Sequence, residues 1–133
     1  EALKVLPETL SKEPLGPLTR DNDSEMYDVV QWVVFGMMQA EESGINSGNV
    51  SSIASNPPNP GVARLLGASF EGGEVQDFSF GIPKDFMQKV ISQVGNYGES
   101  YERNVGPNTP LQLSRGVNNL WTNGGLQYGP PVR

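Results

Sequence analysis

The sequence contains no cysteine and no histidine. The first absence excludes disulfides and thiolate metal sites, and it leaves the redox compartment open. The second removes the commonest general base and metal ligand, and with it every Ser-His or Cys-His nucleophile arrangement. Long apolar runs are also missing. The most apolar stretch, Val29 to Met38, is interrupted by Gln31 and falls far short of the roughly 20 residues that span a bilayer, so no membrane insertion is expected. Basic residues are few, nine against fifteen acidic ones, and the net charge is −6. They are scattered along the chain, which is a poor design for binding a phosphate backbone, so nucleic acid is not an expected partner.

What is abundant is punctuation. The chain has 16 Gly and 11 Pro among 133 residues, with 36% hydrophobic residues. That length suits one ordinary domain. The composition predicts a few solid elements joined by long, turn-rich connections. The sequence begins at Glu1 without a charged and apolar leader, and so reads as processed or as a piece of a longer chain.

Pro7, Pro14 and Pro17 exclude a continuous helix over residues 1–20, and partial alternation makes Leu15–Thr19 the candidate strand. Asp21, Asn22, Asp23 and Ser24 are N-cap residues before a helix expected over Ser24–Ser43 and stopped by Gly44. Met26, Val30, Val33, Met37 and Ala40 mark one face of it. Trp32, Val34, Phe35 and Met38 make most other faces apolar, the pattern of a helix buried on several sides. Gln39, Glu41 and Glu42 mark where it emerges. Short helices are expected at Val50–Ala54 and Gly61–Gly67, and a loop pinned by Phe70, Val75, Phe78 and Phe80 follows. Phe86, Val90, Val94, Tyr97 and Tyr101 then repeat at helical spacing, predicting one helix from Pro83 to about Asn104. Thr109-Pro110 reads as the start of a last helix reaching Thr122, with Leu113, Val117, Leu120 and Trp121 inward, before an extended tail. The expected segment is therefore mainly α, with one or two short strands.

No constellation for catalysis emerges. The acidic group Asp21, Asp23, Glu25 and Asp28 fails as a calcium loop, because Met26 and Trp32 stand where that loop needs Gly and a bidentate Glu. Helix capping explains it instead. Carboxylate pairs suited to glycoside hydrolysis are too easily found among fifteen acids to carry meaning. Glu99 and Arg103 read as a surface pair one helical turn apart, and Tyr97 and Tyr101 as core-edge residues. Gly95 and Gly98 predict a close approach of another backbone. No metal, cofactor or catalytic residue is assigned.

Several longer strings are distinctive: SKEPLGP at 11–17, AEESGI at 40–45, RLLG at 64–67, QVGNYGESYERNVGP at 93–107, SRGVNNLW at 114–121 and GGLQYGPPVR at 124–133. Taken in order, they make the chain resemble the C-terminal portion of the general L-amino-acid-binding proteins. These are periplasmic solute-binding subunits of polar amino-acid ABC transporters, in the amino-acid subfamily of type II binding proteins. The resemblance implies a two-lobed α/β fold joined by hinge crossings, which closes on its ligand and then docks on a membrane permease. On that pattern, residues 1–17 are the end of the second lobe and the last hinge crossing. The hinge itself is Ser11, Lys12, Glu13, Pro14, Leu15, Gly16 and Pro17. Residues 18–45 return to the first lobe with its covering helix, and 46–133 form a helical C-terminal extension packing on that lobe. The main ligand clamp is expected upstream of Glu1, and the ligand-binding residues within this chain stay unknown. The implied role is capture of L-amino acids in the periplasm for an ABC permease, without enzymatic activity. A helix apolar on most faces, with no sheet in the sequence to cover it, implies a fragment that either pairs with the missing part or self-associates. The alternative is an autonomous helical protein-interaction domain.

Overall fold

The computed structural model describes residue 8, residues 14–75, residue 77 and residues 81–132. Five α-helices, α1 (Ser24–Glu42), α2 (Val50–Ser55), α3 (Pro60–Leu66), α4 (Phe86–Val94) and α5 (Tyr97–Asn104), carry the fold. An arm of turns and two short 3-10 segments, Gly116–Asn118 and Trp121–Asn123, follows them. The described residues contain no strand, only an isolated parallel bridge between Leu120 and Gln127. Mainly α is thus the observed class. Residues 14–20 run as coil, so Leu15–Thr19 is not a strand here. A strand requires a neighbour to hydrogen-bond, and none lies beside it among the described residues.

Helices α1 and α3 form where the caps demand. Asp23 accepts from the Met26 N–H at 3.1 Å, and Gly44 leaves α1 at φ 69°. In the turn before α2, Asn46 Oδ1 accepts from the Gly48 and Asn49 N–H groups, while Asn49 Oδ1 accepts from the Asn46 N–H at 2.8 Å. Asn59 caps α3 at Val62, with Pro60 at the first helical position. The core lies where α2, α3 and the C-terminal half of α1 meet α4. Ala40, Ile45, Val50, Leu66, Met87 and Ile91 are its most buried members. Gly36 provides a notch on α1, since a Cβ there would meet the Met87 Sδ at 2.8 Å.

Two expected helices differ. The segment 83–104 is not one helix, because Gly95 adopts φ 81°, ψ −179° and breaks it. Asn96 then caps α5. Its side chain accepts from the Glu99 N–H at 2.9 Å, and the Glu99 carboxylate accepts from the Asn96 N–H at 2.8 Å. This capping box satisfies two N–H groups that a helix start would otherwise leave bare. The Glu99–Arg103 pair is not a direct hydrogen bond, because Arg103 donates to the Val94 carbonyl at 3.0 Å, but its charge still helps hold the Glu99 carboxyl down. Helix α4 begins at Phe86, past Pro83.

The helix expected from Thr109 to Thr122 does not form. Gln112 and Gly116 have φ of 49° and 47°, outside the helical region. The Leu113 N–H goes to the distant Val105 carbonyl. Only Leu120 of the four expected inward residues is buried, at 4% exposure, while Val117 and Trp121 are more than half exposed. The tail is extended as expected, but it is not loose. Gly129 sits so close to α1 that a Cβ would lie 2.6 Å from the Phe35 carbonyl oxygen, and Val132 packs on the core. Phe70 and Val75 are half-buried as the loop reading required. Phe78, Phe80 and the residues before Glu8 lie outside the described residues.

The capping box predicts a pH dependence. Burial works against the charged form of Glu99, yet hydrogen bonds from Ser47 and Asn96 outweigh it and hold the carboxyl below its ordinary 4.5. A lowered folded-state value stabilises the fold above about pH 4.5, and that contribution is lost as pH falls through the depressed value. Asn96→Ala is expected to cost at least the ~0.5–2 kcal/mol of a lost cap. Glu99→Gln, which removes the titrating group itself, should flatten the acid limb of a thermal-melt series, which circular dichroism at several pH values measures.

Candidate functional site

The best-organised polar cluster joins α1, α5 and the arm. Arg115 makes two parallel bonds to Glu41, Nη1 to Oε1 at 2.9 Å and Nη2 to Oε2 at 3.1 Å. It also donates from Nε and Nη2 to the Asn118 carbonyl at 3.2 and 3.0 Å. Its guanidinium carbon lies 5.3 Å from the ring centroids of both Tyr97 and Tyr101. The Tyr101 hydroxyl donates to the Ser114 carbonyl at 2.9 Å. Burial raises the Tyr97 phenol above its ordinary value, while the nearby Arg115 pulls the other way. Both charged side chains are about 85% shielded, with 14% and 16% exposure.

This geometry stabilises; it does not catalyse. Arg115 spends its donors on a carboxylate and a carbonyl, and Glu41 is already paired, which leaves neither positioned for a substrate. A planar guanidinium packed against two neighbouring aromatic rings is a strong way to seat a bidentate pair. Sequence reasoning placed Glu41 where α1 emerges into solvent and did not single out Arg115. Its partner lies in the arm, far along the chain, so no local periodicity signals the pair. Gly98 answers the expectation of close approach, with the contact coming from side chains and not from backbone. A Cβ there would stand 2.8 Å from Glu41 Oε1 and 2.9 Å from Arg115 Nη1.

Beside the cluster, the end of α1, α3 and the arm enclose an open groove of about 500 Å³, lined by Gln39, Glu42, Arg64, Leu65, Trp121 and Tyr128 among others. Trp121 and Tyr128 meet edge-on at 6.2 Å, and Trp121 Nε1 donates to Glu42 at 3.3 Å. Glu42 and Arg64 are exposed, so the groove gives a small molecule little that water does not.

The hinge candidates fall at the other end. Pro14, Leu15, Gly16 and Pro17 are exposed coil, and Gly16 has open space around it. Ser11, Lys12 and Glu13 lie outside the described residues. Downstream, the N-terminal half of α1 projects beyond the core: Met26 and Tyr27 are about half exposed, and Val29, Val30, Trp32 and Val34 are only partly covered. Trp32 and Phe35 meet edge-on at 6.1 Å. A shallow apolar hollow of about 200 Å³ forms between this half and Pro17 and Thr19. So much apolar side chain at the rim of a small core is a binding surface in search of its cover.

No family model matches the sequence. Whole-protein relatives do. The chain is 52% identical over 129 residues to YhdW of Escherichia coli (strain K12), named provisionally as an amino-acid ABC transporter-binding protein. It is 46% identical to the general L-amino acid-binding periplasmic protein AapJ of Rhizobium johnstonii. It is 43% identical to the glutamate/glutamine/aspartate/asparagine-binding protein BztA of Rhodobacter capsulatus. Each match covers 97% of this chain and 37% of the relative, so the chain spans little more than a third of their length. Among solved structures, an ABC transporter periplasmic binding protein from Brucella ovis with glutathione bound matches with a TM-score of 0.84 and 45% identity. That match covers 96% of this chain and 39% of the other.

Gly98→Leu is expected to destabilise the fold by about 1–3 kcal/mol through overpacking against the ion pair. Arg115→Ala, which leaves the largely buried Glu41 carboxylate without its partner, should cost about 3–5 kcal/mol. Adding Glu41→Gln to Arg115→Ala should recover part of that loss. Urea unfolding of the four proteins checks the set, and a wild-type midpoint for Gly98→Leu would refute the packing account.

Proposed function

We propose, on the premise that the chain is homologous to the periplasmic binding proteins of amino-acid ABC transporters, that it is part of a solute-binding protein. That protein captures L-amino acids in the periplasm and delivers them to an ABC permease. The observation that carries the reading is similarity at 43–52% identity across 97% of the chain to relatives named for amino-acid binding. The relatives are named for binding and transport, and on that ground no reaction is assigned to this chain.

The proposed division of labour rests on the resemblance of the chain's strings to that family. Residues 1–17 end the second lobe and make the last hinge crossing, with Ser11 to Pro17 as the hinge. Two prolines at Pro14 and Pro17 limit where that crossing can bend, which suits a hinge with one path of motion. Residues 18–45 re-enter the first lobe, and α1 lays its apolar N-terminal half on that lobe's sheet. Residues 46–133 are an extension that packs on the same lobe. The clamp for the ligand's carboxylate and ammonium belongs to the part of the protein that the relatives have beyond this match.

Two measurements test the proposal. Calorimetric titration of the protein at the relatives' full length with a panel of L-amino acids, and with glutathione, should give saturable heat for at least one of them. Silence across the panel sinks the assignment. The 133-residue chain alone is expected to self-associate through the α1 surface on size-exclusion chromatography. A monomer that unfolds in one sharp reversible transition would instead favour an autonomous interaction domain.

A further inference from the structure

The sequence holds eleven asparagines, and one of them, Asn123, is followed by glycine. The other ten precede Asp, Ser, Val, Pro, Tyr, Thr, Asn or Leu, all of which crowd the following backbone nitrogen or, for Pro, remove its hydrogen. The structure separates these residues further. Asn46, Asn49, Asn59 and Asn96 have their side-chain amides tied into caps and turns. Asn104 donates to the Ser100 carbonyl. Asn123 is exposed, and no hydrogen bond is made by its side chain. Gly124 is exposed too, sits at φ 80°, and has nothing within 4 Å of where a Cβ would be. Its N–H makes only a long turn bond, 3.2 Å to the Trp121 carbonyl.

We propose that Asn123 is a self-modification site, converting to aspartate and isoaspartate and thereby loosening the aromatic corner of the arm. The Gly124 backbone nitrogen, on losing its proton to water, attacks Cγ of Asn123. A carbon–nitrogen bond forms, the bond from Cγ to the side-chain nitrogen breaks, and ammonia leaves. The resulting five-membered imide is opened by one water at either carbonyl, giving aspartate or, through the other carbonyl, isoaspartate. No oxidant, metal or second enzyme enters the balance. Glycine is the residue that lets this attack happen, because it has no Cβ to hold the nitrogen away from Cγ.

The location gives the change a consequence. Residues 103–133 contain no Asp or Glu, so the product is the first negatively charged side chain in that stretch. It appears two residues from Trp121, whose indole already faces Glu42. The isoaspartyl form also lengthens the main chain by one carbon within a tight knot. The Asn123 N–H to Leu120 bond is 2.9 Å, as is the Gly125 N–H to Leu120 bond. Gly125 packs so closely that a Cβ would overlap the Asn119 carbonyl. A knot with that little slack cannot take up the extra atom without parting Trp121 from Tyr128.

The test is incubation of the protein at mildly alkaline pH and 37 °C, sampled over weeks, followed by tryptic digestion. The 116–133 peptide should gain the mass of one amide-to-acid exchange, localised to Asn123 by fragmentation, before any other asparagine reacts. Trp121 emission should shift in step with the conversion. Asn123→Gln, which keeps the amide but lengthens the ring that must close, should lose both signals while melting like the parent. An unchanged 116–133 peptide, in a sample where a free synthetic peptide of the same sequence converts fully, overturns the proposal. So does conversion that starts at another asparagine. Conversion without any change in Trp121 emission overturns the second half of it.

Discussion

The fold turns on one buried side chain, Asn96. Its amide donates to the Ile45 carbonyl at 2.7 Å, its oxygen starts α5, and its N–H closes the box with Glu99. Three bonds on one side chain and its backbone convert the break at Gly95 into a defined corner. The corner places Glu99 on the Ser47 hydroxyl at 2.6 Å, tying α5 to the loop before α2. It also turns α5 so that Gly98 faces Glu41 and Arg115, which pair beside Tyr97 and Tyr101. The arm is held by that pair. A polar group at 8% exposure thus organises a lean core, because an Asn with its partners met costs little and fixes one geometry.

Much of this was legible in the residues. The end of α1 and the starts of α1 and α3 follow from local chemistry: Asp23, Gly44, Asn59 and Pro60 act within a turn of where they stand. The apolar period through Phe86, Val90 and Val94 found the helix but not its end. The period continues across Gly95 into Tyr97 and Tyr101, so the spacing hides the break. The clue was present, since Asn96 with Glu99 three residues later is itself a helix-start signature. The arm was not legible. Its course is set by Arg115 meeting Glu41 and by Leu113 meeting the Val105 carbonyl, contacts that local propensity cannot foresee.

The functional half of the picture is unevenly spread. The similarity runs nearly end to end, yet the polar groups that the chain organises best are turned inward on one another. What faces outward near the N-terminus is apolar: the first half of α1, with Leu15 and Leu18 almost fully exposed before it. A chain built this way contributes position more than recognition. It presents a helix with an apolar face open at one end and a coil leading into it.

The tail's path over α1 fixes what can move with what. Gly129 rests on the Phe35 carbonyl and Val132 reaches the core, so the last residues are strapped to the same helix that follows the proposed hinge. Bending before Leu18 would swing α1, the helices behind it and the arm together as one solid piece. Distances inside that piece stay constant through any opening and closing. If the proposed hinge is correct, a dye pair placed on α1 and on the arm would be blind to its motion.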